Sequence, residues 1–123
     1  MRTKESEEMY LETIYLLKNQ KPSVRSVDIV EFMDYAKSSV SRGVNLLQKK
    51  GYITISHESG EINFTKEGYQ RAVEIYERHE VITSLLVSLG AEKKSAEENA
   101  CRIEHVISKD VFEIIKNYVK NKD

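Results

Sequence analysis

Between Glu7 and Lys18, apolar residues recur at helical spacing, at Tyr10, Leu11, Ile14, Tyr15 and Leu17, and the pattern breaks at Asn19-Gln20-Lys21-Pro22. This spacing predicts a first helix. Ser26 is expected to cap a short second helix holding Val27, Ile29, Val30 and Phe32, because its hydroxyl can accept from orphan amides of the first turn. After Asp34-Tyr35-Ala36, the stretch Lys37 to Lys50 sets Val40, Val44 and Leu47 on one stripe and predicts a third helix, ended by Gly51 in a left-handed conformation. Tyr52-Ile53-Thr54-Ile55 and Glu61-Ile62-Asn63-Phe64 read as two short strands around a polar turn, His57 to Gly60.

From a cap at Thr65, the stripe Tyr69, Ala72, Val73, Ile75, Tyr76, Val81, Ile82, Leu85 and Leu86 predicts a long helix to about Leu89, stopped by Gly90. Ser95 is expected to open a fifth helix reaching about Ile107, and Ser108 to cap a sixth from Val111 to Val119. No internal repeat or low-complexity segment interrupts the series. Two short helices, a tight turn and a hairpin are the order of a winged helix-turn-helix. The expected fold is therefore mainly α, with a winged helix-turn-helix over residues 1–70 and a helical domain over residues 71–123.

The length of 123 residues suits one compact domain or two small lobes that share a core, and points to cooperation with a second subunit. With 40% hydrophobic and 32% charged residues and a single proline, the composition is that of a folded, helix-rich protein. No apolar leader follows Met1 and no run is long enough to span a bilayer, so the cytoplasm is the expected location and no membrane partner is expected. A single cysteine, Cys101, excludes an intramolecular disulfide framework and a zinc ribbon, and leaves one thiol for ligation or chemistry.

A formal net charge of −1 argues against coating nucleic acid by bulk positive charge, so any DNA contact must be local. The third helix offers that locality. Ser38, Ser39, Ser41 and Arg42 at its start are short or forked enough to meet a major groove, with Lys37, Lys49 and Lys50 as phosphate anchors. His57, at the hairpin tip, could touch a minor-groove phosphate, although a solvent-facing imidazole is the plainer reading. The whole face also reads as the solvated side of a structural three-helix unit.

In Cys101-Arg102-Ile103-Glu104-His105, spacings of three and four set thiol, carboxylate and imidazole on one side of a helix, where they could converge on one ion. The same triplet equally reads as a small buried cysteine beside a surface Glu-His pair. An enzyme using Cys101 as nucleophile and His105 as base lacks an oxyanion loop and an orienting partner, and no phosphate-cradling loop or nucleophile elbow occurs elsewhere. The sequence therefore reads as non-enzymatic.

Glu8-Met9-Tyr10-Leu11-Glu12 through Tyr15, the Arg78-His79 pair, and Ala100-Cys101-Arg102-Ile103-Glu104-His105-Val106 resemble the family of the diphtheria toxin repressor and the manganese repressor, over nearly the whole chain. The resemblance implies a winged helix-turn-helix followed by a helical metal-binding and dimerisation domain. It implies a homodimeric repressor controlling metal homeostasis on a palindromic double-stranded operator, with a divalent metal as co-repressor.

Carried over, the primary site is Met9, Cys101, Glu104 and His105, and a second site draws on His79 with Glu12, Glu97 and Glu80. Two positions depart from the iron-type pattern: Thr83 stands where that pattern has a Glu four residues after the long-helix His, and Glu97 where it has a His four residues before the Cys. An SH3-like C-terminal domain is not expected, which matches the length of manganese-type members. Thioether and thiolate ligands favour Fe²⁺ over Mn²⁺, with Co²⁺, Ni²⁺ or Zn²⁺ able to substitute in vitro. The competing reading is a winged-helix regulator that answers an organic ligand or thiol oxidation at Cys101.

Overall fold

A computed structural model describes residues Lys4 to Asn121. The elements follow in the order α1 (Lys4–Gln20), α2 (Ser26–Met33), α3 (Lys37–Lys49), β1 (Ile53–Ile55), β2 (Ile62–Phe64), α4 (Lys66–Ser88), α5 (Lys93–Ile103) and α6 (Lys109–Asn121). The fold is mainly α, an N-terminal winged helix-turn-helix followed by a helical domain. The chain forms two compact units that divide between Val73 and Glu74, within the residue range of α4.

In the first unit, Tyr10, Leu11, Ile14 and Leu17 bury one face of α1, and Ile29, Val40, Val44 and Leu47 supply the facing stripes of α2 and α3. Proline disfavours helical backbone at the residue before it, so α1 stops at Gln20, ahead of Lys21-Pro22. The start of α2 corrects an expectation. Its N-cap is Arg25, not Ser26, because the Asp28 carboxylate accepts the Arg25 amide hydrogen (2.8 Å) and draws Ser26 into the first turn.

Lys21 pairs with the same carboxylate, and together with the Arg25 amide it holds the Asp28 pKa below the usual carboxylate range. Asp34 closes α2 in a left-handed conformation, φ 56°, its amide donating to the Val30 carbonyl (2.9 Å); a short polar side chain tolerates this geometry. Three residues then separate α2 from α3.

Gly51, at φ 85°, turns the chain out of α3 into the hairpin, where β1 and β2 pair antiparallel with Ile53 opposite Phe64 and Ile55 opposite Ile62. Ile53 and Ile62 point into the core, and the Ile62 amide donates to the Val24 carbonyl (2.8 Å), which ties the wing to the α1–α2 loop. Thr65 caps α4 as expected, accepting from the Gly68 amide at 3.1 Å.

In the second unit, Ile75, Ile82, Ala96, Ala100 and Phe112 are buried. Here α5 starts at Lys93 behind an N-cap at Glu92, earlier than Ser95, and ends at Ile103, short of the expected Ile107. Arg78 accounts for the early end. Its Nη1 donates to the Glu104 and Ile107 carbonyls (3.1 and 3.0 Å), and its guanidinium lies 5.3 Å from the Phe112 ring centroid, so a turn replaces the last helical turn. Ser108 then caps α6, accepting from the Val111 amide (3.4 Å). Val111, Ile114 and Tyr118 form an exposed stripe on α6, with Ile114 67% exposed.

Candidate DNA-reading face and metal centre

Burying Val40, Gly43, Val44 and Leu47 on one side of α3 leaves Lys37, Ser38, Ser41, Arg42 and Lys49 exposed on the other. Ser39 is half-buried, and its hydroxyl accepts a long contact from Arg42 Nη2 (3.5 Å), which leaves the guanidinium most of its donors. Asn45, exposed four residues after Ser41 and 3.5 Å from its hydroxyl, joins this face although it was not among the expected readers. The signal was available in the i, i+4 spacing.

Lys50 differs from the other expected anchors, because its ammonium is already paired with Glu7 of α1 at 2.5 Å. His57 sits exposed in the wing turn, and Lys18 reaches Asn63 on the wing strand (2.9 Å).

In the second unit, ligand atoms of Cys101, Glu104 and His105 lie within 4.8 Å of one another. Cys101 is on the last turn of α5, Glu104 is its C-cap and His105 follows in the turn, so the triplet spans a helix end instead of one continuous helix face. Glu104 is completely buried and His105 nearly so, whereas Cys101 is half-buried.

The Glu104 carboxylate stands between two imidazoles: Oε1 is 3.1 Å from His105 Nε2, and Oε2 is 2.9 Å from His79 Nδ1. Tyr76 stacks on the His79 ring, 6.3 Å between centroids, which fixes the imidazole from one side. His79, expected in a separate second site, therefore shares its carboxylate partner with the primary triplet. Glu80 and Glu97, the other second-site candidates in this unit, are exposed, and neither belongs to the donor group found among the described residues.

Met9 and Glu12 lie three residues apart on α1 in the first unit, Met9 half-buried and Glu12 buried. Thiol, carboxylate and imidazole donors at this separation fit a divalent transition metal of intermediate softness. A buried carboxylate is costly to desolvate, and a bound cation would offset that cost.

A helix-turn-helix with a two-stranded wing, followed by a helical unit that gathers sulfur, oxygen and nitrogen donors, defines a winged-helix DNA-binding protein with a candidate metal centre. Residues 2–60 match the iron dependent repressor N-terminal DNA binding domain, and residues 65–123 the iron dependent repressor metal binding and dimerisation domain.

An uncharacterized HTH-type transcriptional regulator of Methanocaldococcus jannaschii is 30% identical over 94% of this chain and 94% of its own length. The regulator MntR of Lysinibacillus sphaericus is 30% identical over 94% of this chain and 82% of its own. The iron-dependent repressor IdeR of Mycobacterium tuberculosis is 30% identical over 85% of this chain but only 45% of its own, so the chain spans about half of that longer relative. Among solved structures, the manganese regulator SloR shares the fold, with a TM-score of 0.81 at 24% identity over 93% of this chain and 53% of that one. The chain belongs to the iron dependent repressor family of metal-dependent, DNA-binding transcriptional regulators.

Proposed function

We propose that this protein is a repressor of metal-homeostasis genes, active as a cytoplasmic homodimer on a palindromic double-stranded operator, with Fe²⁺ as the favoured co-repressor and Mn²⁺ next. The observation that carries this reading is the buried Glu104 carboxylate, held between His79 and His105 with the Cys101 thiol within 4.8 Å. Residues 1–70 form the DNA-binding domain and residues 71–123 the metal-binding and dimerisation domain. Among the described residues no helix is long and apolar enough to cross a membrane, in keeping with a DNA-bound role.

The primary ligands are Met9, Cys101, Glu104 and His105; His79, with Glu12, Glu97 and Glu80 as further donors, forms the second set. When bound, the cation supplies the positive charge that lets thiolate, carboxylate and imidazole share one small volume. Cys101 contributes the soft donor that tilts the choice from Mn²⁺ towards Fe²⁺, and Co²⁺, Ni²⁺ or Zn²⁺ substitute in vitro.

On α3, Arg42 reads a base edge, while Ser38, Ser39 and Ser41 allow close backbone approach. Lys37 and Lys49 hold phosphates, with Lys50 and His57 secondary to them. The exposed α6 stripe of Val111, Ile114 and Tyr118 supplies apolar surface for the homodimer.

Titration of anaerobic protein with Co²⁺ tests the ligand set. Wild type is expected to develop a thiolate-to-metal charge-transfer absorption that Cys101→Ser lacks. An identical spectrum from both proteins would remove Cys101 from the site.

A further inference from the structure

Glycine is a poor choice in the middle of a helix, yet Gly43 sits at the centre of α3 and is buried. The reason is a close approach. A Cβ at position 43 would stand 2.4 Å from Cε2 of Tyr10 and 2.7 Å from its Cζ, so the ring occupies the space a side chain would take. Tyr10 is itself almost wholly buried, and its hydroxyl donates to the Ser39 carbonyl at 3.3 Å, one turn earlier on the same face of α3. Its ring also meets Tyr35, in the turn before α3, edge-on at 6.4 Å and 81°. One side chain of α1 thus touches the turn, the first turn and the middle of the helix that carries Ser38, Ser41 and Arg42. Near the C-terminal end of α3, the Glu7–Lys50 ion pair ties the same two helices again.

We propose that Tyr10 is the positioning residue through which α1 sets the placement of the DNA-reading helix, its ring seated against Gly43 and its hydroxyl on the Ser39 carbonyl. The inference rests on the reading above, in which α3 meets DNA and α1 carries Met9 and Glu12. Tyr10 lies between those two residues in one turn of α1. A small rotation or shift of that turn is passed to α3 without slack, because a ring packed against bare backbone leaves no flexible side chain to absorb it. Ser41 and Arg42 lie between Ser39 and Gly43 in sequence, so the displacement reaches the base-reading side chains directly.

Tyr10→Phe keeps the ring and the core and deletes only the hydroxyl. The probes are a duplex selected from a random-sequence library by the Mn²⁺-loaded wild-type protein, a scrambled duplex, and Mn²⁺ alone. The expected result is about fivefold weaker binding of the selected duplex, the equivalent of one ordinary hydrogen bond, with Mn²⁺ affinity and scrambled-duplex affinity unchanged. Gly43→Ala is expected to weaken selective binding further, and Tyr10→Leu combined with Gly43→Ala to recover part of that loss by making room for the methyl group. Equal loss on both duplexes, or wild-type selectivity in Tyr10→Phe, overturns the positioning role while leaving the repressor reading intact. A wild-type protein whose duplex binding ignores Mn²⁺ overturns that reading and this inference together.

Discussion

Replacing Glu104 by Gln keeps the size of a completely buried side chain and removes its charge. In the metal-free protein two effects oppose each other. The side chain loses a charge-assisted hydrogen bond to His79, worth about 1.5–3 kcal/mol, but the cost of burying a carboxylate disappears as well. Metal-free stability should therefore stay within about 2 kcal/mol of wild type, the size of one such contact.

The metal-loaded protein behaves differently. At a free metal concentration one hundred times Kd, linkage stabilises wild type by about 2.7 kcal/mol. Loss of a direct carboxylate ligand weakens affinity by about 100-fold or more, since even outer partners of metal ligands cost about 10- to 100-fold. At the same concentration the variant then gains only about 0.4 kcal/mol, from one equivalent of Kd. Denaturant unfolding with chelator and with Mn²⁺ reads both quantities from one protein preparation. A Glu104→Gln protein that keeps the full metal-dependent shift would refute the placement of Glu104 in the site.

On α3, Arg42→Ala should cost about 1–3 kcal/mol on a selected duplex and relax base preference at one position. Lys49→Ala should instead weaken all duplexes alike and lower the salt slope by about one, so competition binding across salt concentrations separates the two roles. Asp28, whose pKa is lowered first by Lys21 and then by the Arg25 amide, contributes stability that is present above the unfolded carboxylate pKa and lost as pH falls through its folded value. Asp28→Asn should accordingly destabilise the protein by about 1 kcal/mol near neutral pH, as a lost cap does. Thermal melts across pH should show that gap closing in strong acid; a gap that persisted there would put its origin outside the charge.

Much of the helical core was legible because burial repeats at helical spacing: Tyr10, Leu11, Ile14 and Leu17 on α1 and Val40, Val44 and Leu47 on α3 announce their faces without any partner in view. The wing was legible for the same local reason, alternation on either side of a polar turn. What escaped depends on residues far apart in the chain. The end of α5 is set by Arg78, whose guanidinium captures carbonyls 26 and 29 positions later. His79 and Glu104 meet across 25 positions, beyond the reach of any local spacing, and the resemblance implied separate ligand sets for them. The Lys50 ammonium looked available for phosphate until Glu7, 43 positions away, proved to hold it. Arg25 carries no hydroxyl to mark it as the N-cap of α2; the acceptor is the Asp28 carboxylate three residues after it, so a cap preference read from side-chain type alone points to Ser26.

The most direct test of the central claim is fluorescence anisotropy of the anaerobically handled protein on genomic DNA fragments, first with chelator and then with Fe²⁺ or Mn²⁺. Coupling between two sites on one protein is typically about 1–3 kcal/mol, so binding to a cognate fragment should tighten by about 5- to 150-fold on metal addition, with weak, salt-sensitive binding in its absence. Equal affinity with and without metal would keep the winged helix as a DNA-binding unit and contradict the assignment of metal as co-repressor.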